Sequence, residues 1–256
     1  MTLIARPFAL FISDLHLQVS HPRTLEAFQA FMSERGVAAE RLYLLGDIFE
    51  YWAGDDDLAD PFNAQVAAAI RAVSDAGTAV YWMAGNRDFL VGDGFARAAG
   101  LQLLQDPHVI EAGPRTVALL HGDAQCTLDT AYMAFRAQVR QPAWQANFLG
   151  MPLAQRKAII AGLRQGSRDA HTDKSYETVD VTPAAIDAVF LDTGADVIIH
   201  GHTHRPAVHE HGDRLRYVLP DWELDAEPVR GGWFALHADG SIVSHDLKEL
   251  SPFQAA

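Results

Sequence analysis

The stretch that decides the fold is an apolar run ending in two metal-ligand side chains, Ala9-Leu10-Phe11-Ile12-Ser13-Asp14-Leu15-His16. The first four residues are apolar and short enough to predict a buried strand. Asp14 and His16 are separated by one residue, and in an extended chain such residues project to the same side. Open α/β sheets bind ligands outside the carboxyl ends of their strands. We therefore predict that Asp14 and His16 point together off the end of the first strand.

The same design, an apolar run followed by polar side chains, recurs four times along the chain. Apolar runs at 41–45, 79–83, 116–120 and 196–199 lead into Gly46-Asp47, Gly85-Asn86-Arg87-Asp88, His121-Gly122-Asp123 and His200-Gly201-His202-Thr203-His204. Apolar residues at three- and four-residue steps predict helices over about 22–36 and 61–77. Strands that alternate with helices predict an α/β layered fold, and short runs at 215–219, 233–236 and 242–245 predict a β-rich end.

Composition excludes several classes of protein. The 256 residues are 49% hydrophobic, enough for a sizeable core, and the net charge of −13 argues against a nucleic-acid binder. Cys126 is the single cysteine, which excludes an intrachain disulfide and fits a reducing compartment. No apolar run approaches ~20 residues, so we expect no transmembrane helix, and the first residues do not resemble a signal peptide. We expect a cytoplasmic protein.

The strand ends offer seven nitrogen and oxygen ligands and no thiolate: Asp14, His16, Asp47, Asn86, His121, His202 and His204. This mixture suits Mn, Fe, Zn or Mg better than it suits a structural tetrahedral zinc site. Seven ligands are too many for one ion and suit two ions, which at ~3.5–4 Å apart share a bridging carboxylate and clamp a phosphoryl group. We expect Asp47 to be the bridge. His200, on the last of these strands, is expected to be a core residue.

In order and residue type, these motifs resemble the calcineurin-like metallophosphoesterases. The resemblance implies a calcineurin-like αββα sandwich of two sheets with the metals at the strand ends. It implies that Asp14, His16, Asp47 and His204 bind one ion, and that Asp47, Asn86, His121 and His202 bind the other. It also implies catalytic roles for Asp47, Asn86 and His121, and we expect Arg87, which follows Asn86, to be catalytic as well.

Arg87 departs from the pattern of that family, in which a histidine usually follows the Asn and protonates an alkoxide leaving group. An arginine cannot donate that proton, because its pKa lies above ~12, but it can clamp phosphate oxygens. A phosphate-monoester leaving group, with a second pKa of about 6, needs no proton donor. Arg87 therefore favours cleavage of a pyrophosphate link. The alternative is a surface salt bridge between Arg87 and Asp88.

A second departure is a helix-like insert at residues 125–180, within a single domain spanning 1–256. The insert contains seven Lys or Arg against five Asp or Glu, so it is basic within an acidic chain. A basic and apolar lid predicts a ligand with both phosphate and hydrocarbon parts, and resembles a membrane-surface element. The alternative is an ordinary helical hairpin packed on the sandwich.

Together, Arg87 and the insert resemble one branch of the family, the UDP-2,3-diacylglucosamine pyrophosphohydrolases of lipid A biosynthesis. That resemblance implies hydrolysis of UDP-2,3-diacylglucosamine to UMP and 2,3-diacylglucosamine 1-phosphate by a metal-activated water, with Mn²⁺ favoured. The implied protein is a monomer that is peripheral on the cytoplasmic face of the inner membrane. The substrate contacts implied by the branch fall on Asn86, Arg87, Asp129, Ser167, His171, Lys174 and His202, with Arg164 and Tyr132 as neighbours. His171 stands where the branch usually has Asn.

Several alternatives remain open from the sequence. A phosphodiesterase or phosphatase of another substrate, such as a cyclic nucleotide, would need neither Arg87 nor the apolar insert. A non-catalytic scaffold would use the insert to bind a partner. The acidic run formed by Glu50 and residues 55–57 is expected to be a solvated loop, and Trp52 belongs either to the core or to the wall of a pocket.

Overall fold

The chain forms two β-sheets packed face to face, with helices on both outer sides. The computed structural model describes residues 6–171 and 180–251, and the side chains of residues 165–171 lie outside that description. The strands are β1 Ala9–Ile12, β2 Arg41–Leu44, β3 Ala79–Met83, β4 Gln102–Leu104, β5 His108–Ala112, β6 Arg115–Leu119, β7 Val197–His200, β8 Ala207–His211, β9 Arg214–Val218, β10 Gly232–Leu236 and β11 Ile242–Asp246. The helices are α1 Pro22–Glu34, α2 Pro61–Asp75, α3 Asp93–Ala99, α4 Thr130–Val139, α5 Pro142–Leu149, α6 Leu153–His171 and α7 Pro183–Thr193.

The topology brings all five ligand-bearing strands to one edge of the sandwich. The first sheet has the order β11-β10-β1-β2-β3-β4 and the second has the order β5-β6-β7-β9-β8. Strands β1, β2, β3 and β4 run parallel to one another, and so do β6, β7 and β9. Because parallel strands end at the same edge, the segments that follow β1, β2 and β3 lie side by side.

Alternation along the strands places one set of side chains between the sheets and the other under the helices. On β1, Ala9 and Phe11 pack between the two sheets, whereas Leu10 and Ile12 face the layer of α1, α2 and α3. On the second sheet, Ala118 and Ile198 pack with residues of α7. These contacts confirm the predicted αββα sandwich.

In the described part of the insert, residues 125–171 and 180, the structure has helices α4, α5 and α6. Its basic side chains are bound to carboxylates of the sandwich. Arg136 Nε lies 2.8 Å from Asp123 Oδ2, Lys157 Nζ lies 2.6 Å from Asp57 Oδ1, and Arg156 contacts Asp56. The prediction that Glu50 and residues 55–57 form a solvated loop is therefore wrong. Asp56 and Asp57, together with Glu50, which contacts Arg164, hold the insert against the body, and sequence periodicity cannot show such contacts.

Within residues 6–171 and 180–251, no helix combines the length and the apolar composition needed to cross a bilayer.

Candidate metal centre

Five of the seven predicted ligands occupy the left-handed region of backbone space. Their φ angles are 55° at Asp14, 48° at His16, 54° at Asp47, 67° at His202 and 53° at His204. Residues other than glycine adopt this conformation at an energetic cost, and they concentrate at functional sites. The prediction that an extended chain carries Asp14 and His16 outward is therefore wrong. Both residues lie beyond the end of β1, and their turns bring the side chains together.

Hydrogen bonds between neighbouring segments hold these turns. The Asp14 N–H donates to the Gly46 carbonyl at 3.0 Å and the His16 N–H donates to the Asp47 carbonyl at 3.0 Å. Gly85 is required by close approach, since a Cβ there would overlap the Asp47 carboxylate.

The first cluster contains Asp14, His16 and His204. His16 Nε2 lies 3.2 Å from His204 Nε2, and His204 Nε2 lies 3.5 Å from Asp14 Oδ1. The other Asp14 oxygen, Oδ2, accepts the Ser13 hydroxyl at 2.6 Å and the His202 N–H at 2.8 Å.

The second cluster contains Asp47, His121 and His202, joined by the Asn86 amide. Asn86 Oδ1 lies 3.0 Å from His121 Nε2 and 2.9 Å from His202 Nδ1. His121 Nε2 lies 3.7 Å from Asp47 Oδ1. All seven predicted metal ligands thus fall into two adjacent groups.

The first cluster fits a divalent cation because its lone pairs converge. Asp14 Oδ1 is buried and has no hydrogen-bond partner among the described residues. His204 Nε2 lies 3.5 Å from this oxygen and 3.2 Å from His16 Nε2, and one ligand atom from each of the three residues lies within 4.8 Å of the others. Nitrogen and carboxylate donors without thiolate are typical of sites for Mn, Fe, Zn or Mg. The residues at both clusters therefore fit divalent metal ions.

The carboxylates dominate the electrostatics of the two clusters. Burial alone would lower the pKa of His121 and that of His204, but Asp47 and Asp14 outweigh it at His121 and raise that pKa to about 9. At His204, Asp14 and Asp221 outweigh burial and raise the pKa to about 10. Burial, reinforced by the charge of His121, lowers the pKa of His202 to about 3. Without metal, protons on His121 and His204 balance the buried carboxylates.

A cavity of about 530 Å³ opens above both clusters. Its polar end is lined by ligands that include His16, Asp47 and Asn86, and its other walls come largely from the insert. The apolar lining residues are Trp52, Phe89, Leu90, Phe135, Trp144, Phe148, Ile160 and Leu163. Trp52 is a buried core residue and also forms part of this wall, so the two alternatives given for it from the sequence are both correct.

Arg87 lies at the polar end of this cavity. Its backbone N–H donates to Asp47 Oδ1 at 2.7 Å, and its side-chain Nε has no hydrogen-bond partner in the described part of the chain. The alternative of a surface salt bridge with Asp88 is wrong. Asp88 is fully buried, its oxygens accept the N–H groups of Gly85 and Ile48 at 2.9 Å, and burial together with Asp47 raises its pKa to about 7.

Some of the residues predicted to contact the substrate line the cavity, and others lie outside the described residues. Asp129 lines the cavity and also caps α4, accepting the Tyr132 N–H at 3.1 Å. His202 lines the cavity beside the second cluster. The side chains of Ser167 and His171, and the whole of Lys174, lie outside the described residues.

His200 is fully buried and is a core residue, as predicted. Burial and the neighbouring guanidinium of Arg216 lower its pKa to about 4.

The sequence interpretation missed two carboxylates that contact ligand imidazoles, Glu50 and Asp221. Glu50 Oε2 lies 2.8 Å from His16 Nδ1, and Asp221 Oδ2 lies 3.3 Å from His204 Nδ1. Asp221 follows β9 in the way that Asp47 follows β2, so the pattern of a strand followed by a carboxylate could have found it. Glu50 carried no such signal.

The sequence interpretation also missed the role of Asp123. This buried carboxylate accepts the hydroxyl of Tyr132 and the Nε–H of Arg136, and so ties α4 to the segment that carries His121. The Tyr132 ring in turn stacks beside His202, with 6.2 Å between the ring centroids.

Comparison with known proteins gives a consistent result. A family model described as calcineurin-like phosphoesterase matches residues 9–206. A UDP-2,3-diacylglucosamine hydrolase of Chromohalobacter salexigens is 50% identical over 226 residues, covering 87% of this chain and 90% of that protein. Proteins of the same name from Aromatoleum aromaticum and Xanthomonas oryzae pv. oryzae are 48% and 47% identical; these matches cover 87% and 89% of this chain, and 92% and 99% of those proteins.

Proposed function

The chain belongs to the calcineurin-like phosphoesterase family and is a metal-dependent hydrolase, and we propose that it cleaves the pyrophosphate bond of UDP-2,3-diacylglucosamine. The products are UMP and 2,3-diacylglucosamine 1-phosphate. The observation that carries the proposal is one cavity with two metal-ligand clusters at one end and an apolar wall at the other. A nucleotide-linked lipid has the same division into phosphate and hydrocarbon parts.

The chemistry divides between the bound ions and the side chains of the chain. When bound, two divalent ions supply Lewis-acid polarisation of a phosphoryl oxygen and lower the pKa of a water molecule. Asp14, His16 and His204 would hold one ion, Asn86, His121 and His202 the other, and Asp47 would bridge them. These residues fix the position at which water attacks the phosphorus of the UMP half. The bond from that phosphorus to the bridging oxygen breaks, and this oxygen leaves with the sugar phosphate.

Arg87 stabilises the phosphate oxygens on which charge develops. Arg87 lines the polar end of the cavity, where its backbone N–H binds Asp47, and its guanidinium is a planar fork of donors. The leaving phosphate monoester needs no proton, because its second pKa is about 6. An arginine can therefore occupy a position at which an enzyme that releases an alkoxide would need a general acid.

The remaining polar contacts to the substrate are assigned to Asn86, Asp129, Ser167, His171, Lys174 and His202. Of these, Asn86, Asp129 and His202 line the cavity. Tyr132 and Arg164, which line it too, are the neighbours of these contacts.

The insert at residues 125–180 acts as a lid within a single domain, and it encloses the acyl chains. Its apolar side chains Phe135, Phe148, Ile160 and Leu163 supply that surface. Mn²⁺ is the metal we assign from the resemblance to the branch; the imidazole, carboxylate and amide donors suit it, as they suit Fe, Zn or Mg.

The protein acts as a monomer, peripheral on the cytoplasmic face of the inner membrane. The insert supports membrane contact through exposed apolar residues, with Leu128 57%, Leu149 40% and Leu163 48% exposed. Its described basic side chains contribute less, because those of Arg136, Arg156 and Lys157 already contact carboxylates of the body. Co-sedimentation with anionic vesicles tests this contact, and complete recovery in the supernatant would refute it.

The decisive experiment measures UMP release from UDP-2,3-diacylglucosamine by the full-length protein after metal removal and reloading with Mn²⁺, Mg²⁺ or Zn²⁺. We expect release that depends on the added metal, with Mn²⁺ most effective. A cyclic nucleotide and a simple phosphomonoester serve as competing substrates. Faster cleavage of either one would favour the phosphodiesterase or phosphatase alternative. Failure to bind metal would favour the scaffold.

A further inference from the structure

Three of the four imidazoles of the metal centre have a partner on the nitrogen that faces away from the other ligands, and these partners differ. His16 Nδ1 lies 2.8 Å from Glu50 Oε2, and His204 Nδ1 lies 3.3 Å from Asp221 Oδ2. His121 Nδ1 instead lies 2.9 Å from the backbone carbonyl of Leu45. Among the described residues, only the first cluster has imidazoles whose outward-facing nitrogen contacts a carboxylate.

A carboxylate on Nδ1 has two effects on the Nε2 atom that faces a cation. It holds the proton on Nδ1, so that Nε2 presents its lone pair, and its negative charge makes the ring a stronger donor to a metal. The carbonyl of Leu45 can fix the tautomer of His121 in the same way, but it carries no net charge. Asp47 would serve both ions, and beside it the first cluster has the carboxylate of Asp14 where the second has the neutral amide of Asn86.

Both carboxylates are themselves held in place. Arg230 Nε donates to Asp221 Oδ2 at 2.6 Å, and Asp221 is 2% exposed. Arg164, from α6 of the insert, contacts Glu50, whose side chain is 14% exposed. Side chains fixed in this way need little rearrangement when a cation binds, which favours affinity.

We propose that Glu50 and Asp221 are positioning residues that make the first cluster, Asp14 with His16 and His204, the tighter of the two cation sites. The first cluster then fills before the second, and the second limits activity when metal is scarce. The inference rests on the proposed function only in requiring two divalent ions, and not on the identity of the substrate.

The test is a Mn²⁺ titration of the metal-free, full-length protein, with free Mn²⁺ followed by electron paramagnetic resonance. We expect two binding steps of unequal affinity. Loss of an outer-shell partner of a ligand histidine typically costs 10–100-fold in metal affinity. Glu50→Gln and Asp221→Asn should therefore each weaken the tighter step by about 10- to 100-fold and leave the weaker step unchanged.

Two matched controls make the same chemical change at histidine–carboxylate pairs outside the metal centre. Glu249→Gln changes the pair of Glu249 with His245, in which Oε2 lies 2.8 Å from Nδ1. Asp187→Asn changes the pair of Asp187 with His211, in which Oδ1 lies 3.7 Å from Nδ1. Neither control should change either binding step. Arg230→Gln keeps the Asp221 carboxylate but removes the arginine that holds it, so it should weaken the tighter binding step less than Asp221→Asn does. It also provides the test if the Asp221→Asn variant does not fold.

Two equal steps in the parent protein would overturn the inference, and so would variants that weaken only the looser step or neither. Because Mn²⁺ binding is read without substrate, unequal steps in a protein that releases no UMP would refute the proposed function and leave this inference standing.

Discussion

Replacing Arg87 tests the proposed preference for a phosphate leaving group. The Arg87 backbone is fixed on both sides, by its N–H to Asp47 Oδ1 at 2.7 Å and by its carbonyl, which accepts the Trp52 N–H at 3.2 Å. A substitution there should therefore change the side chain alone. Arg87→Lys keeps the positive charge and removes the planar fork.

The size of the effect follows from the loss of one hydrogen bond between charged groups. Such a bond contributes about 1.5–3 kcal/mol. At 1.36 kcal/mol for each factor of ten, Arg87→Lys should lower kcat/KM for UMP release by about 10- to 150-fold. Arg87→His should lower it further, because an imidazole has neither the fork nor a permanent charge.

The two variants separate further on a phosphodiester with an alkoxide leaving group. A histidine can protonate the alkoxide and a lysine does so poorly at neutral pH, so Arg87→His should lose less activity on the diester than on the pyrophosphate. Steady-state kinetics on both substrates measure this difference. Arg97→Lys, on an exposed face of α3, is the matched control and should match the parent protein. Unchanged kcat and KM in both Arg87 variants would refute the role assigned to this residue.

Three further predictions concern the metal centre and the insert. Asp47→Asn should lower kcat at least 100-fold and reduce bound Mn²⁺ below two ions per chain, measured by metal analysis; two retained ions with full activity would contradict a bridging role. Because the pKa values of His121 and His204 lie at about 9 and 10, both rings carry a proton at pH 7 that Mn²⁺ must displace. Calorimetry in buffers of different ionisation enthalpy should show proton release at pH 7 and tighter binding as pH rises to 9; a heat that does not depend on the buffer would refute this. Asp123→Asn removes the ionised acceptor of Tyr132 and Arg136, so it should speed limited proteolysis of the insert and raise KM more than it lowers kcat; an unchanged cleavage rate would show that Asp123 does not hold the insert.

The parts of the centre that sequence predicts are those set by local pattern. Each ligand follows an apolar strand within two to four residues, so the chain itself brings Asp14, Asp47 and His202 to the edge of the sandwich. The parallel order within each sheet places the ends of β1 and β2 side by side, and likewise those of β6 and β7; the packing of the two sheets then brings the two sets together. The αββα layers are predictable for the same reason, since alternating apolar residues require a packed face on each side of a sheet.

What sequence did not predict depends on contacts between distant segments. Glu50 bonds a ligand that lies 34 positions before it and an arginine of the insert far after it, and no spacing rule records such a pairing. Asp56 and Asp57 were expected to be solvated because acidic runs usually are, yet Arg156 and Lys157 use them to attach the insert. The left-handed turns at Asp14 and His16 were also missed, because side-chain alternation assumes an extended backbone.

The central claim, that strand ends far apart in sequence bind two cations in common, is tested most directly by a crystal structure of the Mn²⁺-loaded protein with anomalous data collected at the manganese edge. The account predicts two anomalous peaks, one within Asp14, His16 and His204 and one within Asn86, His121 and His202, with the Asp47 carboxylate between them. A single peak, or peaks away from these side chains, would contradict it.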